Sequence, residues 1–282
     1  MEYLSLDAQS VRKLLPKRDV NTHKGDYGKL LLICGSRGYT GAAALCALGA
    51  LRSGAGLVYL AVPESIYEIE AVKLLEPVIF PMPDEGGMLS VQAVEKIDAL
   101  LPKMNAIAIG PGLGQSEGTF QVIKHVLQSA KCPVILDADG INVVSKHTYI
   151  LRDRIAPTVL TPHDGEFLRL GQRLTEDRCQ SAVDAAIHLG CIMVLKGHKT
   201  VITDGKSCYV NNTGNPGMAT GGSGDVLTGI IASLIGQRLG LLQAAACGAW
   251  LHGAAGDRCA QQIGQYGMLP QDMLQILPQI IG

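Results

Sequence analysis

Charge is scarce in this chain of 282 residues: Asp, Glu, Lys and Arg together make up 17%, and they cancel to a net −1. A nucleic-acid-binding domain would show a clearly basic face or stripe, so no nucleic-acid partner is expected. Cysteine pairs are missing too. Cys34, Cys46, Cys132, Cys179, Cys191, Cys208, Cys247 and Cys259 form no CxxC, and most lie in apolar runs such as LLLIC and HLGCIMVL. That argues against a disulfide scaffold or a zinc site and for reduced, buried thiols that pack as small hydrophobes. Long apolar runs are absent: none reaches the ~18–20 residues of a membrane helix, and GAAALCALGAL is soon ended by Arg52. The opening MEYLSLDAQSVRKLLPKRD lacks the basic-then-apolar order of a secretion signal. A cytoplasmic protein that does not engage membranes is expected.

Glycine, by contrast, is abundant. The 34 glycines are roughly 12% of the chain, against a usual share of about 7%. They keep no three-residue period, which excludes collagen, and a hydrophobic content of 47% excludes disorder. They cluster instead, as GSRGYTG (35–41), GPGLG (110–114) and GNPGMATGGSGD (214–225). Others, such as Gly49, Gly54, Gly56, Gly248 and Gly253, lie in or beside Ala-rich helical stretches, where they allow close packing. The low charged fraction leaves little polar surface, which suggests that part of the exterior is buried between subunits.

Short apolar runs alternate with helical stretches. Strands are predicted at 29–35, 57–62, 106–110, 133–137, 158–161, 192–196, 200–203 and 207–211. Helices are predicted at 41–53, 65–73, 90–101, 117–130, 139–146, 165–171, 175–189, 223–237, 241–260 and 270–277. The early strands are continuously apolar, as strands covered on both faces are, and their alternation with helices argues a doubly wound parallel α/β sheet. TVIT and SCYVN flank DGKS, and Asp-Gly between short strands signals an antiparallel hairpin, expected at the sheet edge. No linker or repeat interrupts the chain. One domain over 1–282 is expected, with 1–28 as a helical lead.

Two common nucleotide signatures are absent: there is no GxxxxGK[ST], and no GxGxxG follows the first strand. What occurs is TGGSGDVLTGIIASLIG (220–236), where Gly221, Gly222, Ser223 and Gly224 precede a helical pattern of Val226, Leu227, Ile230, Ile231 and Leu234. A glycine loop opening a helix presents free N–H groups beside the positive end of the helix dipole, which suits phosphate. Asp225, in that first turn, reads either as a stabilising acidic residue at the helix start or as a base that orients a hydroxyl toward a transferring phosphoryl group.

The motif set KGDYGKLLLICGS (24–36), TGAAALCALGALRSGAGLVYLAVP (40–63), AIGPGLG (108–114), ILDADGIN (135–142), LTPHDGEF (160–167), VLKGHKTVI (194–202) and NTGNPGMATGGSGDVLTGIIA (212–232) resembles the ADP-dependent NAD(P)H-hydrate dehydratase family of the ribokinase-like superfamily, in family order. The resemblance implies a repair reaction. A hydroxyl on the hydrated nicotinamide ring of NADH or NADPH is phosphorylated and phosphate then leaves, restoring the ring. The implied co-substrate is ADP, with ATP used by eukaryotic members, together with Mg²⁺. By resemblance Asp225 is the base; Ala42, Gly114 and His163 contact the hydrate; Lys196, Gly197, His198, Lys199 and Thr200 line the nucleotide site; and Gly221, Gly222 and Gly224 hold the phosphate. A homotetramer is implied, and a separate epimerase is expected as partner because 1–28 is too short for a fused one.

The chain departs from the family pattern at Cys34, where a glycine is usual, and at Asp164, where many members have proline. His163 also reads as a helix cap, and Lys196 as a lysine surfacing from a strand. Asp137 and Asp139 suggest Mg²⁺ held through water or, alternatively, Asx turns; Glu166 is a further metal or phosphate-loop candidate. His252, in AWLHGAAGD, reads as a core or interface histidine. Two other functions fit the loops: a ribokinase-like kinase of a vitamin-precursor alcohol, and a nucleotide-binding regulator without catalysis. The intact Asp225 and glycine loop speak against the latter.

Overall fold

A computed structural model describes residues 3–282. The strands are β1 (Tyr3–Leu4), β2 (Lys29–Ile33), β3 (Leu57–Pro63), β4 (Val78–Met82), β5 (Asp84–Glu85), β6 (Met88–Leu89), β7 (Ala106–Ile109), β8 (Val134–Leu136), β9 (Thr158–Leu160), β10 (Ile192–Leu195), β11 (Val201–Thr203) and β12 (Cys208–Val210). The helices are α1 (Ala8–Leu14), α2 (Thr40–Arg52), α3 (Tyr67–Lys73), α4 (Ala93–Asp98), α5 (Glu117–Ser129), α6 (Asp139–Val144), α7 (Tyr149–Arg152), α8 (Asp164–Arg169), α9 (Arg178–Leu189), α10 (Ser223–Gly236), α11 (Leu241–Ile263) and α12 (Pro270–Ile281). Ten strands form one sheet in the order β1-β12-β11-β10-β9-β8-β7-β2-β3-β4, and β5 and β6 form a small separate hairpin.

The sheet is parallel from β4 through β10, and β11 runs antiparallel to both of its neighbours. The predicted β11–β12 hairpin forms. It is not the outermost element, because Tyr3–Leu4 adds beyond it, parallel to β12. The lead before β2 therefore holds a strand as well as α1 and a 3₁₀ turn at Lys24–Tyr27; residues 1 and 2 lie outside the described residues. β4, the β5–β6 hairpin and α7 appear in segments where no element is predicted.

Both faces of the sheet are buried. In β2, Leu30 and Leu32 pack into a core with α1, α2, α10, α11 and α12, whereas Leu31 and Ile33 pack into a second core with α4 to α9. This explains the unbroken apolar strands. α2 and α10 pack unusually closely. A Cβ on Gly49 would come within 2.6 Å of the Val226 carbonyl oxygen, so only glycine permits the approach. That contact sets the start of α10 against α2.

Connectivity places the site. The sheet order reverses between β2 and β7, leaving their following loops on either side of a crevice at the carboxyl ends. In open α/β sheets this is where ligands bind. The 35–41 and 110–114 glycine loops are those two connections.

Candidate active site

The two loops at the crevice are tied together. Gly35 N–H donates to the Pro111 carbonyl at 2.8 Å, and Ser36 Oγ to the Gly112 carbonyl at 2.7 Å. Ala42 lies in the first turn of α2 behind this junction. Gly114 N–H donates to Asp139 Oδ2 at 2.9 Å, while Asp139 Oδ1 accepts from Gln115 Nε2 at 3.0 Å and Asn142 Nδ2 at 3.4 Å. Asp139 therefore fastens the GPGLG loop, and both of its oxygens are occupied.

Asp137 and Asp139 point in different directions because Ala138 lies between them at φ 49° and ψ −117°. An L-residue held there costs on the order of 1–3 kcal/mol. The turn sends Asp139 to the loop and leaves Asp137 buried on the floor of the site, 1% exposed. Asp137 Oδ1 meets Lys196 Nζ at 2.7 Å, and Oδ2 accepts from Thr228 Oγ1 at 2.7 Å. Lys196 Nζ lies a further 3.8 Å from Glu166 Oε2. Burial alone would lower the Lys196 pKa, but the Asp137 and Glu166 carboxylates outweigh it and raise it above the usual lysine value. The ammonium is therefore a fixed positive charge.

Above this floor, α10 opens at Gly222 (φ 94°), in the left-handed region that glycine tolerates. No side chain caps this end. Helix geometry gives the N–H groups of Gly224 and Asp225 no carbonyl to reach. A Cβ on Gly224 would stand 3.4 Å from Lys196 Nζ, so the lysine lies directly beneath the cradle. The Asp225 carboxylate accepts no hydrogen bond among the described residues. Burial first, and then the Asp137 charge, push its pKa up to about 7, with Lys196 opposing. It is poised to take a proton near neutrality.

His163 proves to be the helix cap: its Nδ1 accepts from Gly165 N–H at 3.0 Å and Glu166 N–H at 3.4 Å, and its backbone N–H donates to Glu166 Oε2 at 2.9 Å. This fixes the proton on Nε2, which faces Glu166 Oε1 at 3.3 Å. The ring is still about half exposed at the crevice. Glu166 is thereby divided between His163 and Lys196. The 196–200 loop follows β10; Thr200 Oγ1 donates to the Gly197 carbonyl at 3.0 Å, and Lys199 takes a left-handed φ of 57°. His252 is buried in α11, its Nε2 3.3 Å from Ser223 Oγ, and burial lowers its pKa to about 4. It is a satisfied core histidine behind the cradle.

The structure brings Asp225, Gly221–Gly224, Lys196, Glu166, Asp137 and His163 to one place, with Asp139 one step removed. Sequence reasoning misses two contributors. Thr228 stands one turn after Asp225 and looks like any helix threonine. Arg178 grips Asp164 at 2.8 Å and the Lys196 carbonyl at 2.9 Å, joining the 160–167 and 196–200 loops. No group of three or more His, Cys, Asp or Glu side chains among the described residues is arranged to hold a metal.

The profile of NAD(P)H-hydrate dehydratases matches residues 30–279. The chain belongs to this family. The bifunctional NAD(P)H-hydrate repair enzyme Nnr of Moorella thermoacetica is 44% identical over 98% of the chain but 53% of its own length, so the chain spans about half of that relative. The ADP-dependent (S)-NAD(P)H-hydrate dehydratase of Bacillus subtilis is 38% identical over 96% of this chain and 95% of its own. A crystal structure of the ADP/ATP-dependent NAD(P)H-hydrate dehydratase from Bacillus subtilis, co-crystallized with ATP/Mg²⁺, superposes with a TM-score of 0.86 at 36% identity, covering 97% of this chain and 96% of that one. The architecture is accordingly the ribokinase-like one within this dehydratase family.

Proposed function

We propose that the chain is a hydro-lyase that repairs nicotinamide cofactors, dehydrating the S-epimer of hydrated NADH or NADPH at the expense of ADP to give NAD(P)H, AMP and phosphate. The observation that carries this reading is a half-buried, unbonded carboxylate, Asp225, in the first turn of a helix whose free N–H groups face a glycine cradle. In this role Asp225 accepts the proton of the ring hydroxyl. The N–H groups of Gly224 and Asp225, with Gly221 and Gly222 beside them, hold the transferring phosphoryl oxygens, and Lys196 supplies fixed positive charge from below. The loop Lys196–Thr200, including Gly197, His198 and Lys199, takes the nucleotide. Ala42, Gly114 and His163 take the hydrated ring.

Mg²⁺ would neutralise phosphate charge here. Asp137, Asp139 and Glu166 already hold internal partners, a donor set that fits an ion carried in on the nucleotide phosphates better than a resident one. Glu166 and Asp139 would reach it through water. Support for a cytoplasmic setting is the eight free cysteines and the lack, among the described residues, of any helix long and apolar enough to cross a membrane. We assign a homotetramer, and cooperation with an epimerase activity, on the family resemblance.

The test is to supply hydrated NADH with ADP or with ATP and follow both reduced-ring absorbance and free phosphate. Recovery of absorbance with equimolar phosphate is expected. A stable phosphorylated alcohol product from a vitamin-precursor panel, without ring recovery, would instead identify a ribokinase-like kinase.

A further inference from the structure

Arg169, the last residue of α8, is exposed. Its Nη1 donates to Asn142 Oδ1, and its Nη2 lies 3.7 Å from the point where a Cβ on Gly165 would stand. That same point is 3.0 Å from the His163 ring. Asn142 in turn donates to Asp139, the residue that holds Gly114. The guanidinium is therefore fastened where the loops bearing His163 and Gly114 meet.

Charge gives this position its meaning. Asp137, Asp139, Asp164, Glu166 and Asp225 make the surroundings anionic, yet a dinucleotide substrate brings at least two phosphate charges. Lys196 is already ion-paired with Asp137 and Glu166, and Arg178 with Asp164. Arg169 is held by a neutral amide instead, and no carboxylate oxygen among the described residues pairs with it. An immobilised guanidinium without a counter-charge suits bidentate capture of phosphate oxygens.

We propose that Arg169 receives the diphosphate of the hydrated dinucleotide and so makes the site select a dinucleotide over a bare dihydronicotinamide. This rests on the dehydratase reading given above. Arg169→Ala and Arg169→Lys are compared with wild type on hydrated NADH and on the phosphate-free hydrated dihydronicotinamide riboside. For Arg169→Ala, KM for hydrated NADH should rise on the order of tenfold to a hundredfold, with the loss confined to that KM. Arg169→Lys, which keeps the charge without the fork, should fall between. On the riboside, wild type and Arg169→Ala should behave alike.

An unchanged KM for hydrated NADH would overturn the proposal. So would an equal loss on the riboside, as a merely structural role would give, or a rise in the KM for ADP instead. Failure of the dehydratase reading shows separately, as wild-type protein that does not turn over hydrated NADH. Calorimetric binding of NADPH to wild type and Arg169→Ala then decides: weaker binding by the variant supports the role, and equal or absent binding ends it.

Discussion

Asp137 and Asp225 face the same crevice and are held in opposite ways. Asp137, on the floor, has one oxygen on Lys196 and the other on Thr228 and is nearly inaccessible. Asp225, at the cradle, has no bonded partner among the described residues and feels the Asp137 charge as repulsion. Two bonded partners hold one carboxylate in place. Burial, and then the Asp137 charge, leave the other with a raised proton affinity suited to exchange. On the proposed reading, the floor serves position and the cradle chemistry.

The sharpest way to test that division is Asp225→Asn. Turnover should fall about a hundredfold to ten-thousandfold, the range of a lost general base, while calorimetric ADP binding stays within a few-fold. A variant retaining most of its rate would remove Asp225 from the chemistry. The complementary change is Asp137→Ala. It leaves a buried ammonium short of its main partner and should cost on the order of 3–5 kcal/mol of stability in denaturant unfolding. A shift well below that would mean the floor is not the structural anchor described.

The pH dependence separates the two regions more gently. Because Asp225 must be ionised to act, kcat/KM should climb about tenfold per pH unit toward its pKa of about 7 and then level off. Folding should respond with the opposite sign. Asp225 binds its proton more tightly in the folded chain than an ordinary carboxylate does, so its contribution to stability is full at low pH and is lost as pH rises through about 7. Asp225→Asn should abolish that decline, which unfolding curves at several pH values would register.

Much of this was legible in the sequence because it is local. The apolar runs that give β2, β3 and β7 to β10 are short, continuous and covered on both faces, and the DGKS hairpin carries its own turn chemistry. The cradle likewise lies within one segment, Gly221–Asp225. The edge strand β4 escaped notice because Val78–Met82 is half exposed and contains Pro81, and its pairing with β3 is a tertiary fact. β1 has two residues and exists only because β12 offers an edge. The floor was legible in part: Asp137 and Lys196 were singled out, but their pairing spans 59 residues, and the bond to Thr228 spans 91. His163 is a cap by geometry, and its ring stays half exposed at the crevice.

The cross-ties between the 35–41 and 110–114 loops have a thermodynamic consequence. With Gly35 bonded to Pro111, Ser36 to Gly112 and Gly114 to Asp139, this wall of the crevice is one rigid jaw. Its conformational entropy is surrendered when the chain folds, so an incoming ligand meets a surface that needs no ordering, and little of the contact energy is consumed in arranging it.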